Sequence, residues 1–396
     1  MSINDTPDVQ LEGMQKPALM VGVAAAVVLA GFAFYDPRQF FRSYLFGYVF
    51  WMAFPLGSLA LLMLHHLTGG GWGFVIRRLC EAGTRTFALM AVLFLPLVAG
   101  ISRLYTQWTN PAWAAEAMQH APFKAKWLSQ PFFLTRAVIY FVIWIVLGYL
   151  LSKWSMEEDR TGDAGMHNRM EALSAPGLIL YGLTATFSMI DWVMSLDPDW
   201  MSTMYGLIFV VVHVFTAMAF LIFVASRFAG HQPLATVATP SRFHDLGTLL
   251  FAFTMLWAYL SFSQFLIIWA GNVKAEITWY VHRGLGEWSW LAGVLLVLHF
   301  FVPFFILLNR TIKRRRDLMR EVAVALIVIS ALDVFWIITP SFFPTAEMRA
   351  TDVLAHVLAL AAIGGFWVWA FAKQAQGRPL VPLHDPRMEG AVEHGA

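Results

Sequence analysis

Ten apolar runs, each bounded by charged residues or by Pro and Gly, recur along the chain at approximately 17–34, 43–67, 86–104, 132–153, 176–194, 202–227, 246–270, 288–308, 321–339 and 353–372. About 20 helical residues cover the roughly 30 Å of bilayer hydrocarbon. Backbone surrounded by lipid has to satisfy its N–H and C=O groups internally, which an isolated segment does only as a helix. The expectation is an all-α polytopic membrane protein with about ten transmembrane helices. Composition agrees, because 59% of the 396 residues are hydrophobic and 13% charged, about half the charged share of a soluble domain. The fifth run is the weakest of the set, being short and ending in acid.

Charge placement sets the expected orientation. Nine of the 27 Lys and Arg residues fall in odd-numbered loops: Arg38, Arg42, Arg103, Lys124, Lys126, Arg136, Lys274, Arg283 and Arg349. The rest lie at the ends and in even-numbered loops, which places both termini in the cytoplasm by the positive-inside rule. The run from Arg310 to Arg316 is the largest contributor, and it reads as an anchor against anionic lipid rather than a ligand site. Residues through Gln15 are polar and acidic rather than basic, so the first run is expected as a true span and not a cleaved signal. The single cysteine, Cys80, excludes an intramolecular disulfide, a self-contained cysteine-ligated iron–sulfur cluster and a c-type haem motif, each of which needs at least two. A net charge of +2 carries no signal for nucleic acid. The long third loop, Tyr105 to Gln130, holds Trp113, Phe123 and Trp127 between Pro111 and Pro131, and reads as a short interfacial helix. The Pro/Gly/His-rich tail from Gly377 is expected to follow a partner surface or to be disordered. No convincing internal repeat is found.

Candidate chemistry comes from polar residues within the apolar runs. Asp191 and Asp333 are the carboxylates inside them, both in the outer third on this topology. A carboxylate at membrane depth is costly and tends to face a bundle interior where it is used. The seventh run carries Tyr259, Ser261, Ser263 and Gln264, polar groups that need other helices or a hydrated cavity. With Asp197 and Asp199 in DWVMSLDPDW (Asp191 to Trp200), His213 on the sixth span and His299 on the eighth, these groups could form a hydrogen-bonded proton chain from the outer surface towards mid-membrane. The plainer reading of Asp191, Asp197 and Asp199 is as helix caps. His213 and His299 as axial ligands of a b-type haem are weighed against the plainer role of satisfied polar contacts, and no metal site is expected. His65 and His66 read as interface residues. The 17 Trp and 34 Phe serve first as belt and packing. A quinone head would need ionisable donors beside aromatics, and His213, Trp257, Gln264 and Trp269 are the set for it.

Three stretches carry a family resemblance: DWVMSLDPDWMSTMYG (Asp191 to Gly206), AYLSFSQFLIIWAGN (Ala258 to Asn272) with Glu276, Trp279, Tyr280 and Arg283, and Lys126 with PFFLTR (Pro131 to Arg136). Together they resemble the second polytopic subunit of alternative complex III, the ActF family, related to the NrfD/polysulfide-reductase membrane subunits. The resemblance runs from about span 2 to span 9. It implies central helices in two four-helix bundles, and so a division into 1–42 (tail and first span), 43–194 (spans 2–5), 195–340 (spans 6–9) and 341–396 (tenth span and tail). It further implies a place in the bacterial inner membrane within a quinol-oxidising respiratory complex that passes electrons to a cytochrome c or directly to a terminal oxidase. Haem c and iron–sulfur clusters would belong to partners: cytochrome c subunits, an iron–sulfur subunit and a paralogous NrfD-like subunit. The chain itself would hold no redox cofactor and no catalytic residue. It would brace the assembly and conduct protons through Asp191, Asp197, His213, Tyr259, Ser263, Gln264, His299 and Asp333, with quinone left open as a ligand. Two alternatives stand beside this: the chain as the quinol-oxidising site itself, and an independent secondary transporter, which would be built on inverted repeats and broken helices.

Overall fold

The computed structural model describes residues 7–284, 286–382, 384, 385 and 387. Among them, ten helices are long and apolar enough to cross a membrane: Gln10–Tyr35, Pro37–Thr68, Gly71–Ala99, Gln130–Thr161, Gly165–Leu196, Tyr205–Phe228, Pro240–Gly271, Glu287–Leu308, Arg316–Ser341 and Ala350–Ala375, numbered here as spans 1–10. No strand occurs among the described residues. The chain is an all-α, multi-pass membrane protein.

Several helices outrun their apolar stretches. Span 5, expected to be short, starts far earlier, where the Asp163 carboxylate accepts from Gly165 N at 2.8 Å, and continues through Pro176. Span 4 continues through an acidic turn until Gly162, whose φ of 68° stops it. Span 3 is a chain of shorter helical pieces, Gly71–Thr84, Phe87–Leu93 and Leu95–Ala99. Span 8 contains a π-helical turn at Leu296–Phe301, which sets His299 inward; such turns recur at functional sites.

Spans 2, 3, 4 and 5 pack as one ring and spans 6, 7, 8 and 9 as a second. Span 2 is the hub: it touches spans 1, 3, 4, 5, 6, 9 and 10, and 94% of its most apolar window is buried. Small residues permit the close crossings, as is usual where lipid supplies no hydrophobic drive between helices. A Cβ on Gly57 would lie 2.1 Å from His213 O, so spans 2 and 6 meet backbone to backbone and join the two rings. Gly22 and Gly365 face each other in the same way, where spans 1 and 10 form an outlying pair. Chain ends and even-numbered loops share one face, here the tail face; odd-numbered loops form the opposite, loop face. The third loop holds two short helices, Pro111–His120 and Pro122–Trp127, rather than one, because Pro122 interrupts the run.

The described tail residues fold onto the first ring of their own chain, where Asp385 Oδ2 lies 2.5 Å from Arg77 Nη1 and His384 Nδ1 lies 2.8 Å from Asp159 O. Residues 383, 386 and 388–396, included in the tail expectation, lie outside the described residues. Under this cover, Glu158 takes Arg77 Nη2 at 2.7 Å and Glu81 takes Arg78 Nη1 at 2.7 Å, all four side chains being buried. Glu81 and Glu158 therefore join Asp191 and Asp333 as buried acids, a correction that follows from the helical extensions. Burial works to raise the Asp385 carboxyl, but Arg77 and Arg387 beside it hold it below the ordinary aspartate value.

Candidate functional site

The expected acid chain divides into separate sites. Asp191, in the last turn of helix Ala164–Trp192, is clamped by span 4. Arg136 reaches it with Nε at 2.8 Å and Nη2 at 2.8 Å; Tyr140 OH donates at 2.8 Å and Trp127 Nε1 at 3.0 Å. The guanidinium carbon also lies 4.0 Å from the Trp127 ring centroid and 4.4 Å from that of Phe132. A carboxylate holding four donors and a full counter-charge is a structural pin. It caps no helix start. Nor does it join Asp333, which sits in the other ring.

Asp333 is 2% exposed and has no Lys or Arg ion-pair partner among the described residues. Trp257 Nε1 of span 7 donates to its Oδ2 at 3.0 Å, and His299 Nδ1 of span 8 stands 3.7 Å from the same oxygen. Trp257 stacks on the His299 imidazole at 4.0 Å between ring centroids, with Phe215 4.8 Å away. These rings fill the space around His299 that an axial haem ligand would need, so the haem reading does not fit. His213 lies apart, fully buried against Phe209 with both ring nitrogens lacking a polar partner, and its backbone carbonyl packs on Gly57.

At the loop-face end of the second ring, residues of the two longest resemblance motifs meet. Trp200 Nε1 donates to Glu276 O at 2.9 Å and stacks on Trp279 at 5.0 Å. Trp279 belongs to the connecting helix Lys274–Gly284, which also carries Tyr280 and Arg283. Arg283 is 1% exposed. Its Nη1 donates to Trp279 O at 3.1 Å; its Nη2 donates to Ile337 O at 2.6 Å and to Ser341 Oγ at 3.1 Å. Ser341 Oγ in turn donates to Asp197 Oδ2 at 2.8 Å. Arg283 Nε has no partner, and no described carboxylate forms an ion pair with the group. Burial pulls its guanidinium down to about 10. Asp197 thus serves as an acceptor for Ser341, not as a cap; the following helix Tyr205–Phe228 is preceded by Met204. Asp199 makes a solvent-side pair with Lys124 at 3.4 Å. Both acids line a loop-face cavity of about 290 Å³ with His282 and Gln107.

Spans 6–9 also enclose a lateral cleft of about 930 Å³, walled largely by apolar side chains such as Ile208, Phe262, Leu296 and Phe300. Arg283, Tyr280, Gln264, Asp333 and Trp257 reach its wall. Gln264 is buried, donating to Tyr280 OH at 3.2 Å and accepting from Ser202 Oγ at 2.8 Å. Tyr259 is 65% exposed and lies along the cleft wall rather than in an internal network, while Ser263 is half-buried with no cleft contact. Of the four residues weighed for a quinone head, only Trp257 and Gln264 line this cleft. Trp269 is 67% exposed and His213 is walled off, so the four form no single head-group site.

Reading the sequence missed Arg136, Tyr140, Arg283 and Ser341 as site residues. The arginines entered the topology count and the resemblance motifs but not the candidate site; Arg283 follows Trp279 by one helical turn, a spacing that lets its guanidinium lie on the indole, whereas nothing beside Arg136 in sequence marks it as buried. Fold and sites together define a ten-helix membrane protein with a pinned first ring and, in the second, a buried acid and a buried cation that are not paired with each other. Compared with known proteins, the chain matches no protein-family model and no curated relative.

Proposed function

We propose that the chain is an integral, non-catalytic subunit of a bacterial inner-membrane respiratory complex that oxidises quinol and reduces cytochrome c or a terminal oxidase. Its ends would lie in the cytoplasm. The chain braces partner subunits that carry the iron–sulfur clusters and haem c, and it moves protons through its second ring. The motif resemblance supports the membership. One observation carries the proton role: among the described residues Asp333, buried on span 9, has no Arg or Lys partner, and its carboxyl meets an indole donor and a histidine 3.7 Å away. A carboxyl group left unneutralised at membrane depth is there to be used. Its route to the loop face leads past Ile337 to the Arg283–Ser341–Asp197 relay and the cavity beyond. Asp191, held by Arg136, is no part of it.

The test has two readouts. Purification under mild detergent should bring haem- and cluster-bearing polypeptides with the chain; a chain that purifies alone sinks the membership and favours a transporter. In the intact complex, Asp333→Asn should cut proton release per electron while assembly persists. Unchanged proton release and turnover would remove the proton role and leave the bracing role standing.

A further inference from the structure

The 930 Å³ cleft combines two features that neither the bracing role nor the proton role requires. It opens between spans 7 and 8, the least buried of the ring spans, whose apolar windows are only 28% and 22% covered. Its loop-face end is closed by the helix Lys274–Gly284, where Arg283 is buried with Nε unspent and no ion-pair partner. Tyr280 stands one turn away. Its hydroxyl accepts from Gln264, which leaves its own O–H free to donate.

We propose that this cleft is a seat for one anionic phospholipid of the loop-face leaflet. The phosphate would meet Arg283 Nε and the Tyr280 hydroxyl, and an acyl chain would run down the apolar wall.

Depth, charge and direction all favour that occupant. On span 7 the lining extends from Met255 to Phe265, ten helical steps and so about 15 Å of helix, which matches one leaflet of a roughly 30 Å hydrocarbon core. A buried guanidinium without a counter-charge is stabilised by an anion, whereas a neutral quinone carbonyl would leave that charge uncompensated. Asp333 fixes the polarity. Arg283 bonds Ile337 O, and Asp333 lies one helical turn deeper on the same span. An anionic head sunk to that depth would meet a carboxylate, so it stays at the Arg283 end. The seated chain closes the cleft against the bilayer, leaving Asp333 to exchange protons only towards the loop face.

The test uses the complete assembly in phosphatidylcholine nanodiscs that contain a trace of either phosphatidylglycerol or phosphatidylcholine spin-labelled on an acyl chain. Wild type should show a motionally restricted component that favours phosphatidylglycerol by about tenfold, the scale of one charge-assisted hydrogen bond. Two variants should bring that preference close to unity. Arg283→Gln removes the cation. Gly293→Leu fills the cleft instead, at a position where an added Cβ meets nothing within 4 Å. Should Arg283→Gln fail to assemble, Gly293→Leu decides alone. A preference that survives Gly293→Leu overturns the proposal, as does a cross-link from Phe262 to another polypeptide or a tightly held isoprenoid quinone displaced by Gly293→Leu.

Discussion

Replacing Asp191 by Asn separates a structural pin from a proton carrier. The carboxylate receives Arg136 Nε and Tyr140 OH on Oδ2, and Arg136 Nη2 and Trp127 Nε1 on Oδ1. An Asn amide has to place its NH₂ at one of those positions: at Oδ1 it meets two groups that can only donate, and at Oδ2 it meets Arg136 Nε while Tyr140 OH can turn to accept. Arg136 would then be buried beside a neutral group. Removing one member of a buried pair costs about 3–5 kcal/mol. The stacking of Arg136 on Trp127 and Phe132 is present before and after the change and so does not offset it, and a loss of about 3–5 kcal/mol is expected. The double variant Arg136→Met, Asp191→Leu removes both charges and should be less damaging than Asp191→Asn alone, because a matched apolar pair is often neutral. Equilibrium SDS-driven unfolding in mixed micelles gives the ordering, and proton release per electron in the assembled fraction gives the function. Wild-type stability for Asp191→Asn together with lost proton release would refute the reasoning and return Asp191 to the path.

Other consequences follow from the packing. Gly57→Ala puts a Cβ 2.1 Å from His213 O and 2.5 Å from the Ala217 side chain; unfolding curves should show a loss of about 1–3 kcal/mol or more, whereas Gly31→Ala, with open space around it, should be neutral or gain up to about 1 kcal/mol. Asp385→Asn should free the tail at neutral pH, seen as faster tryptic cleavage after Arg378. In wild type the Asp385 carboxyl is held below its ordinary value, so its contribution is complete above the usual aspartate pKa of about 4 and is lost only as pH falls below that; tail release near pH 6 would contradict this. Trp257→Phe removes the indole hydrogen bond to Asp333 and should alter the pH profile of proton release without loss of assembly.

The spans were legible because lipid leaves the backbone no choice but a helix and because apolar length is a strong signal. Their ends were not. Residues such as Glu81 and Glu158 are charged, so hydropathy assigns them to loops, yet Arg77 and Arg78 neutralise them and let the helices continue into a covered region. The same blindness affected the site. Asp191 and Asp333 look equivalent in sequence, each a lone acid in an apolar run. Only the third dimension reveals that Arg136, 55 positions away, cancels one charge and that among the described residues none does so for the other. Tyr259 and Gln264 lie five residues apart on one helix, but an offset of about 140° around its axis leaves one exposed and the other buried.

The two rings treat charge differently, and that contrast is why the proposed function is placed in the second. In the first, Arg136 answers Asp191, Arg78 answers Glu81, and Arg77 answers Glu158 together with Asp385. The chain is therefore able to neutralise an acid wherever only the fold needs it. In the second ring Arg283, on the connecting helix, bonds Ile337 O, one helical turn along span 9 from Asp333, and both reach the wall of the same cleft. Yet Arg283 is held off by its stack on Trp279 and its bond to Ile337 O, and Asp333 by its bond to Trp257. Each charge kept unpaired at that depth costs several kcal/mol more than a pair would. Stability alone would not retain that arrangement, whereas the roles proposed above, an acid that gains and loses a proton beside a cation that keeps a site for an anion, would require it.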